Sequence, residues 1–253
     1  MNTKDLVIGE SMFCLWKGDP GVGKSRAAGS FPEPFFFDID GRMRPLALAY
    51  PDKAIQYESF FNDFAGMMRK LGEFLNYSPY GTYVIDSLTS FSRTTMSHMI
   101  KARVKDSGDT KKRLQRGGLD VSQLEDYGGE TAAITQLLDA MRELNKKAHV
   151  ILIAHCVDVV ERNVQQGTTV MTRQLLTGGK KIAAEIPAYF DETYHFYSRP
   201  DLSGGNPDYY VSTSAAGIDW AKTALPLPPE IHWSHLNFYD VLTGLVAKSK
   251  TTL

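Results

Sequence analysis

Hydrophobic positions in this chain fall into short dense runs, separated by polar stretches rich in glycine and proline. Met12-Phe13-Cys14-Leu15-Trp16, Phe35-Phe36-Phe37-Asp38-Ile39, Thr82-Tyr83-Val84-Ile85 and His149-Val150-Ile151-Leu152-Ile153-Ala154 read as strands buried on both faces. Continuous apolar runs of that length suit a sheet covered from both sides. Ile55-Gln56-Tyr57 reads as a shorter strand. Between these runs, Phe60, Phe61, Phe64, Met67, Met68, Leu71 and Leu75 recur at three- and four-residue spacing, which predicts a helix stopped by Pro79-Tyr80-Gly81. Ile134, Leu137, Leu138, Met141 and Leu144 predict another. Asp191–Tyr197 and Tyr209–Thr213 alternate like strands, joined by a Gly/Pro-rich turn at 199–207. Leu236 to Val246, within about 234–247, predicts a C-terminal helix. Strands alternating with helices imply an α/β fold with a mostly parallel central sheet flanked by helices. No repeat or low-complexity linker divides 1–253, so one domain is expected, with its core at about 12–225.

The stretch after the first strand changes the picture. Gly18-Asp19-Pro20-Gly21-Val22-Gly23-Lys24-Ser25 is the G-x-x-x-x-G-K-S phosphate-binding loop, between a predicted strand and the helix-prone Ser25-Arg26-Ala27-Ala28. The glycines let successive backbone N–H groups turn inward on a phosphate, and the helix N-terminus adds partial positive charge. Lys24 reaches the β- and γ-phosphates in such a loop, and the Ser25 hydroxyl ligates Mg²⁺. Asp86, at the tip of an apolar strand, is placed to hold the metal's shell beside Ser25. Residues Gly18 to Arg26 are thus the candidate nucleotide site.

Composition narrows the partners. The 253 residues carry a formal net charge of −1, so no global basic field announces nucleic acid, and any such surface is local. Cys14 and Cys156 sit in apolar runs and read as small buried hydrophobes. No apolar run approaches membrane-spanning length and the first residues lack a signal-peptide core; a cytoplasmic protein without membrane partners is expected, in the host cytoplasm if viral.

Other residues carry candidate chemistry. Asp38 and Asp40 end a strand, either beside the phosphates or as turn caps. His155 stands at another strand tip. From Phe91 to Asp126 the chain turns polar and basic, with Lys101, Arg103, Lys105, Lys111, Lys112, Arg113 and Arg116, and Gly108 and Gly117-Gly118 interrupt any helix. This is a solvated face or a loop that neutralises nucleic-acid phosphates. Residues 157–177, with Arg162 and Arg173, read as a hairpin or flexible loop. Gly178-Gly179-Lys180 leads into a short helix ended by Pro187.

In this order, the P-loop, Asp38-Ile39-Asp40, Val84-Ile85-Asp86-Ser87, Ile151 to His155 and Thr177-Gly178-Gly179 resemble the RecA-type recombinase core over roughly residues 12–225. The chain looks most like the phage-encoded, core-only RecA-like ATP-binding proteins that act in single-strand annealing and recombination. The resemblance implies an ATPase using ATP and Mg²⁺. Asp40 matches the acidic residue that activates water, where RecA carries glutamate. Lys24, Asp86 and His155 complete the catalytic set, with His155 coupling the γ-phosphate to the loop after it. The resemblance implies single-stranded DNA as partner, bound by Lys111, Lys112, Arg113, Arg116, Arg162, Arg173 and Lys180. A single-strand-binding protein and a homo-oligomer are further implied partners. Lys222 matches a basic residue acting on a neighbour's nucleotide, although Lys222-Thr223-Ala224 lacks the arginine often found two positions on. A small-molecule kinase with a basic lid, a GTPase, and a nucleotide-gated clamp with little turnover are the rival readings. Asn145-Lys146-Lys147-Ala148 lacks the Asp of a guanine-reading element.

Overall fold

The apolar runs form the middle of one sheet. The computed structural model describes residues 11–106, 115–116, 119–163, 168–201, 205, 207–234 and 236–251. Strands β1 (Phe13–Lys17), β2 (Pro34–Asp38), β3 (Gln56–Ser59), β4 (Thr82–Asp86), β7 (His149–Ala154) and β10 (Glu192–Arg199) run parallel; β11 (Asp208–Ser212) and β12 (Glu230–His232) continue antiparallel. The order across the sheet is β12-β11-β10-β1-β7-β4-β2-β3. The tips of β1, β4 and β7 therefore lie side by side, with β2 beyond β4.

Successive strand residues point to opposite faces, so each strand feeds two cores. Phe13, Leu15, Val150 and Leu152 pack with α3 (Phe64–Asn76), α4 (Leu88–Asp106), α5 (Leu124–Asn145) and α6 (Lys180–Glu185). Cys14, Trp16, Ile151 and Ile153 pack with α1 (Lys24–Gly29), α2 (Arg44–Ala49) and α7 (Phe238–Thr251). Among the described residues no helix is long and apolar enough to cross a membrane.

The elements depart from expectation in places with physical reasons. The α3 stripe starts at Phe64, because the Asp63 carboxylate accepts from Gly66 N at 2.9 Å and caps the helix there. The basic stretch from Phe91 is a helix as far as Asp106, not a loop. Its buried positions include Ser92, Thr94 and Thr95, whose hydroxyls carry no apolar signal. Helix α5 begins at Leu124 and runs straight through Gly128-Gly129. A Cβ on Gly129 would lie 2.8 Å from Met99 Sδ, so the glycine lets α4 and α5 close up. Short strands β5 (Gln115–Arg116) and β6 (Leu119–Asp120) pair between them. Residues 156–175 form a separate two-stranded hairpin, β8 (Cys156–Asn163) and β9 (Thr168–Leu175). A 3₁₀ turn at Ile186–Tyr189 carries Pro187 beyond α6.

Candidate functional site

The P-loop leaves the tip of β1 and enters α1. Gly18 adopts φ 146°, and a Cβ there would stand 2.2 Å from Phe196 O, so only glycine fits against β10. Gly23 adopts φ 86°, and its Cβ would lie 2.9 Å from the Trp233 ring. With the loop so held, Lys24 Nζ donates to Gly18 O at 2.8 Å and to Asp19 O at 2.7 Å. Burial lowers its pKa to about 8. The amine is stored in the cradle where a phosphate would take it up.

Beside it, Ser25 Oγ donates to Asp86 Oδ2 at 2.6 Å. Register sets Asp86 level with Asp38 on β2 and Ile153 on β7. Burial raises the Asp86 carboxyl to about 6, against the lowering effect of the Ser25 bond. Asp38 and Asp40 take different parts. Asp38 Oδ1 accepts from Gly41 N at 2.8 Å and Arg42 N at 3.1 Å, which makes it the cap of this turn. Asp40 faces the cleft and accepts from Ser87 Oγ at 3.2 Å. The Asp86–Ser87 peptide is cis.

His155 follows β7. Its Nδ1 lies 3.5 Å from Lys24 Nζ and 3.4 Å from Gly18 O. Burial lowers its pKa, so the ring is neutral at physiological pH. Its backbone is clasped on both sides: His155 N donates to Thr89 Oγ1 at 3.2 Å, and Leu176 N donates to His155 O at 2.9 Å.

These groups line one cleft of about 380 Å³. Pro20, Gly21, Gly23, Lys24, Ser25 and Arg26 form one wall; Asp38, Asp40, Asp86 and His155 close the far side. Gly18, Asp19 and Val22 complete the loop behind them. The cleft fits a triphosphate with its metal: backbone curled by glycines, one amine, and the paired hard oxygens of Ser25 and Asp86, which suit magnesium. Arg42 and Tyr209 also line it. Arg42 was within reach of sequence reasoning, two positions after Asp40 at a strand tip; Tyr209 arrives from β11 with no local signal.

The cationic candidates fare differently. Arg173 is taken up internally: its guanidinium donates to Asp158 at 2.7 and 3.1 Å and to Asp219 at 2.6 Å. It links the hairpin to the segment before β12. Lys180 opens α6 and is exposed. Arg116 lies on β5 and Arg162 on β8. Lys111, Lys112 and Arg113 lie outside the described residues. Lys222 is exposed and bonded through its backbone to Thr193, away from the cleft lining of its own chain. Cys14 is buried and Cys156 half-buried, and both are free.

The sheet, the glycine-cradled lysine and the Ser25–Asp86 pair define a P-loop nucleotide-binding fold. The chain belongs to the AAA_24 family of AAA domains, which matches residues 10–215. No curated protein matches the chain. Among solved structures it is similar to a KaiC-like protein from the hyperthermophilic archaeon Pyrococcus horikoshii OT3, at 13% identity and TM-score 0.47, covering 90% of this chain and 88% of that one. It is also similar to the flagellar accessory protein FlaH of Methanocaldococcus jannaschii, at 10% identity and TM-score 0.42, covering 88% and 84%.

Proposed function

We propose that this protein binds and hydrolyses ATP and uses the cycle to bind single-stranded DNA in annealing or recombination. One observation carries the reading. His155 reaches the P-loop lysine with its ring and opens directly into the β8–β9 hairpin with its backbone. In this reading His155 senses the γ-phosphate and immediately precedes the β8–β9 hairpin.

Lys24 leaves the Gly18 and Asp19 carbonyls to meet the β- and γ-phosphates. Ser25 and Asp86 would hold magnesium, which when bound would neutralise phosphate charge. Asp40, steadied by Ser87, orients water for in-line attack on the γ-phosphate. Most of the rate enhancement comes from positioning and fixed charge. His155 shifts with Lys24 and passes the change to the hairpin. Residues 107–118 and the hairpin meet the DNA backbone, with a single-strand-binding protein and further copies of this chain as partners. Lys222 serves a neighbouring copy.

The test is ATP hydrolysis with and without single-stranded DNA, beside Lys24→Ala. DNA-stimulated hydrolysis lost in the variant is expected, with DNA affinity falling steeply between about 50 and 300 mM salt. Hydrolysis indifferent to DNA, without DNA binding, would move the reading to a metabolite kinase. A second reading, a nucleotide-gated clamp with little turnover, is favoured by the short Asp40 side chain. It predicts tight ATP binding with DNA affinity set by occupancy alone.

A further inference from the structure

A second and larger hollow is lined by Thr89 and Leu176, the two residues bonded to the His155 backbone. It measures about 580 Å³ and runs between α4, Asp120 of β6, the first turn of α5 and the Leu176–Gly178 segment. That volume is within the range of about 300–1,000 Å³ in which small ligands are held. Its long wall is one stripe of α4: Arg93, Met96, Ser97, Ile100 and Lys101, at positions i, i+3, i+4, i+7 and i+8. The two cations stand about 12 Å apart along the helix axis. Met96 and Ile100 lie between them as an apolar floor. Tyr127 contributes a half-exposed aromatic ring from the opposite wall. Neither Arg93 nor Lys101 is held in an ion pair among the described residues.

The third wall is built, not loose. Glu130 is fully buried under it. Its Oε1 accepts from Gly178 N at 2.9 Å and from the Ser92 hydroxyl. A Cβ on Gly178 would lie 2.6 Å from Glu130 Oε2, so bare backbone lets the segment sit this close. Thr89 and Leu176, which clasp His155, both line the hollow.

We propose that this groove is a seat for one or two nucleotide units of a single strand. Arg93 and Lys101 pair with successive parts of its phosphate backbone, and Tyr127 with Met96 and Ile100 receives an unstacked base. The chemistry is that of sequence-tolerant strand binding: cations along the backbone and an aromatic or apolar face for each base. These contacts lie on α4 and the first turn of α5. Because Thr89 and Leu176 line the groove and hold the backbone of His155, whose ring lines the nucleotide cleft, strand and triphosphate affect each other's affinity reciprocally. The inference rests on the single-strand reading above and assigns that strand to named residues.

Fluorescence anisotropy with a labelled oligothymidine tests it, using wild type, Arg93→Ala/Lys101→Ala, Tyr127→Ala and Lys146→Ala. Lys146 is an exposed lysine at the far end of α5, so it controls for loss of charge. The double variant should bind at least about tenfold more weakly, with a salt slope smaller by about one to two. Tyr127→Ala should lose about fivefold or more at unchanged slope. Lys146→Ala and the double variant's affinity for a fluorescent ATP analogue should stay at wild-type values. Unchanged oligonucleotide affinity in both groove variants would overturn the groove while leaving the DNA reading intact. No oligonucleotide binding by wild type would overturn both. Competition by thymidine monophosphate at equal concentration would overturn the single strand as ligand and make the groove a free-nucleotide site.

Discussion

Two structures leave the same end of the sheet and are built on opposite principles. The rim formed by β1, β4 and β7 is enclosed on both faces; Leu15, Val84, Ile151 and Leu152 are all fully buried. The β8–β9 hairpin pairs only with itself. It exposes Val160 and Met171 at 57% and 48%, and is tied down by Arg173 and, at its base, by Leu175 and Cys156 against the core. An isolated hairpin is marginally stable in water. The rim therefore keeps the phosphate geometry constant, and the hairpin is the part whose position can change with small forces. His155 stands at the join.

Several substitutions separate the two regions, beginning with the largest effect. Leu152→Ala should cost about 3 kcal/mol of global stability, because the rim cannot collapse around the lost methyl groups; chemical denaturation checks it. Lys24→Ala should leave the fold intact and lower hydrolysis by at least about a hundredfold, or roughly 2.7 kcal/mol, since it removes charge met by the transferring phosphate. Steady-state kinetics beside a circular-dichroism melt would show whether the two effects part.

The rim should also impose a pH profile. Burial raises Asp86 to about 6 and lowers Lys24 to about 8. In the free protein Asp86 becomes an anion as pH rises through about 6, and Lys24 loses its charge above about 8. kcat/KM should therefore rise across the first value and fall beyond the second. Asp86→Asn should flatten the acid limb of what activity remains. The linked stability has the opposite sense to a salt-bridged aspartate. The folded state holds the Asp86 proton more tightly than the unfolded chain, so this group's contribution to stability falls as pH climbs from 3.8 to about 6.

Effects on the hairpin should be local. Arg173→Ala leaves Asp158 and Asp219 without their shared cation. It should raise amide exchange across 156–175 by about tenfold while moving the global midpoint little. Val160→Ala should change stability by no more than about 0.5 kcal/mol. A large global loss from either would mean the hairpin is part of the core.

Legibility in the sequence follows the same division. The rim strands were visible because burial on both faces leaves uninterrupted apolar runs, and the P-loop because phosphate geometry demands glycines at fixed spacing. Asp86 and His155 were visible as polar residues ending such runs. Helix α4 was hidden because part of its buried side is serine and threonine. The passage of α5 through Gly128-Gly129 was hidden because close helix packing uses the residue that usually breaks a helix. Strand β12 stood behind Pro226, Pro228 and Pro229. The role of Arg173 depends on Asp158 and Asp219, the latter 46 residues away, and no local pattern announces a pairing at that distance. Lys17 ends β1 without an apolar signal and is nonetheless fully buried, with Nζ 4.0 Å above the Trp220 ring.

The most direct test of the account is the affinity for a single-stranded oligonucleotide with and without a non-hydrolysable ATP analogue, in wild type and in His155→Ala. The account predicts that the analogue changes wild-type affinity by about tenfold or more, a coupling of roughly 1.4 kcal/mol, and that His155→Ala removes the difference while still binding both ligands. Equal affinity with and without the analogue in wild type would contradict it.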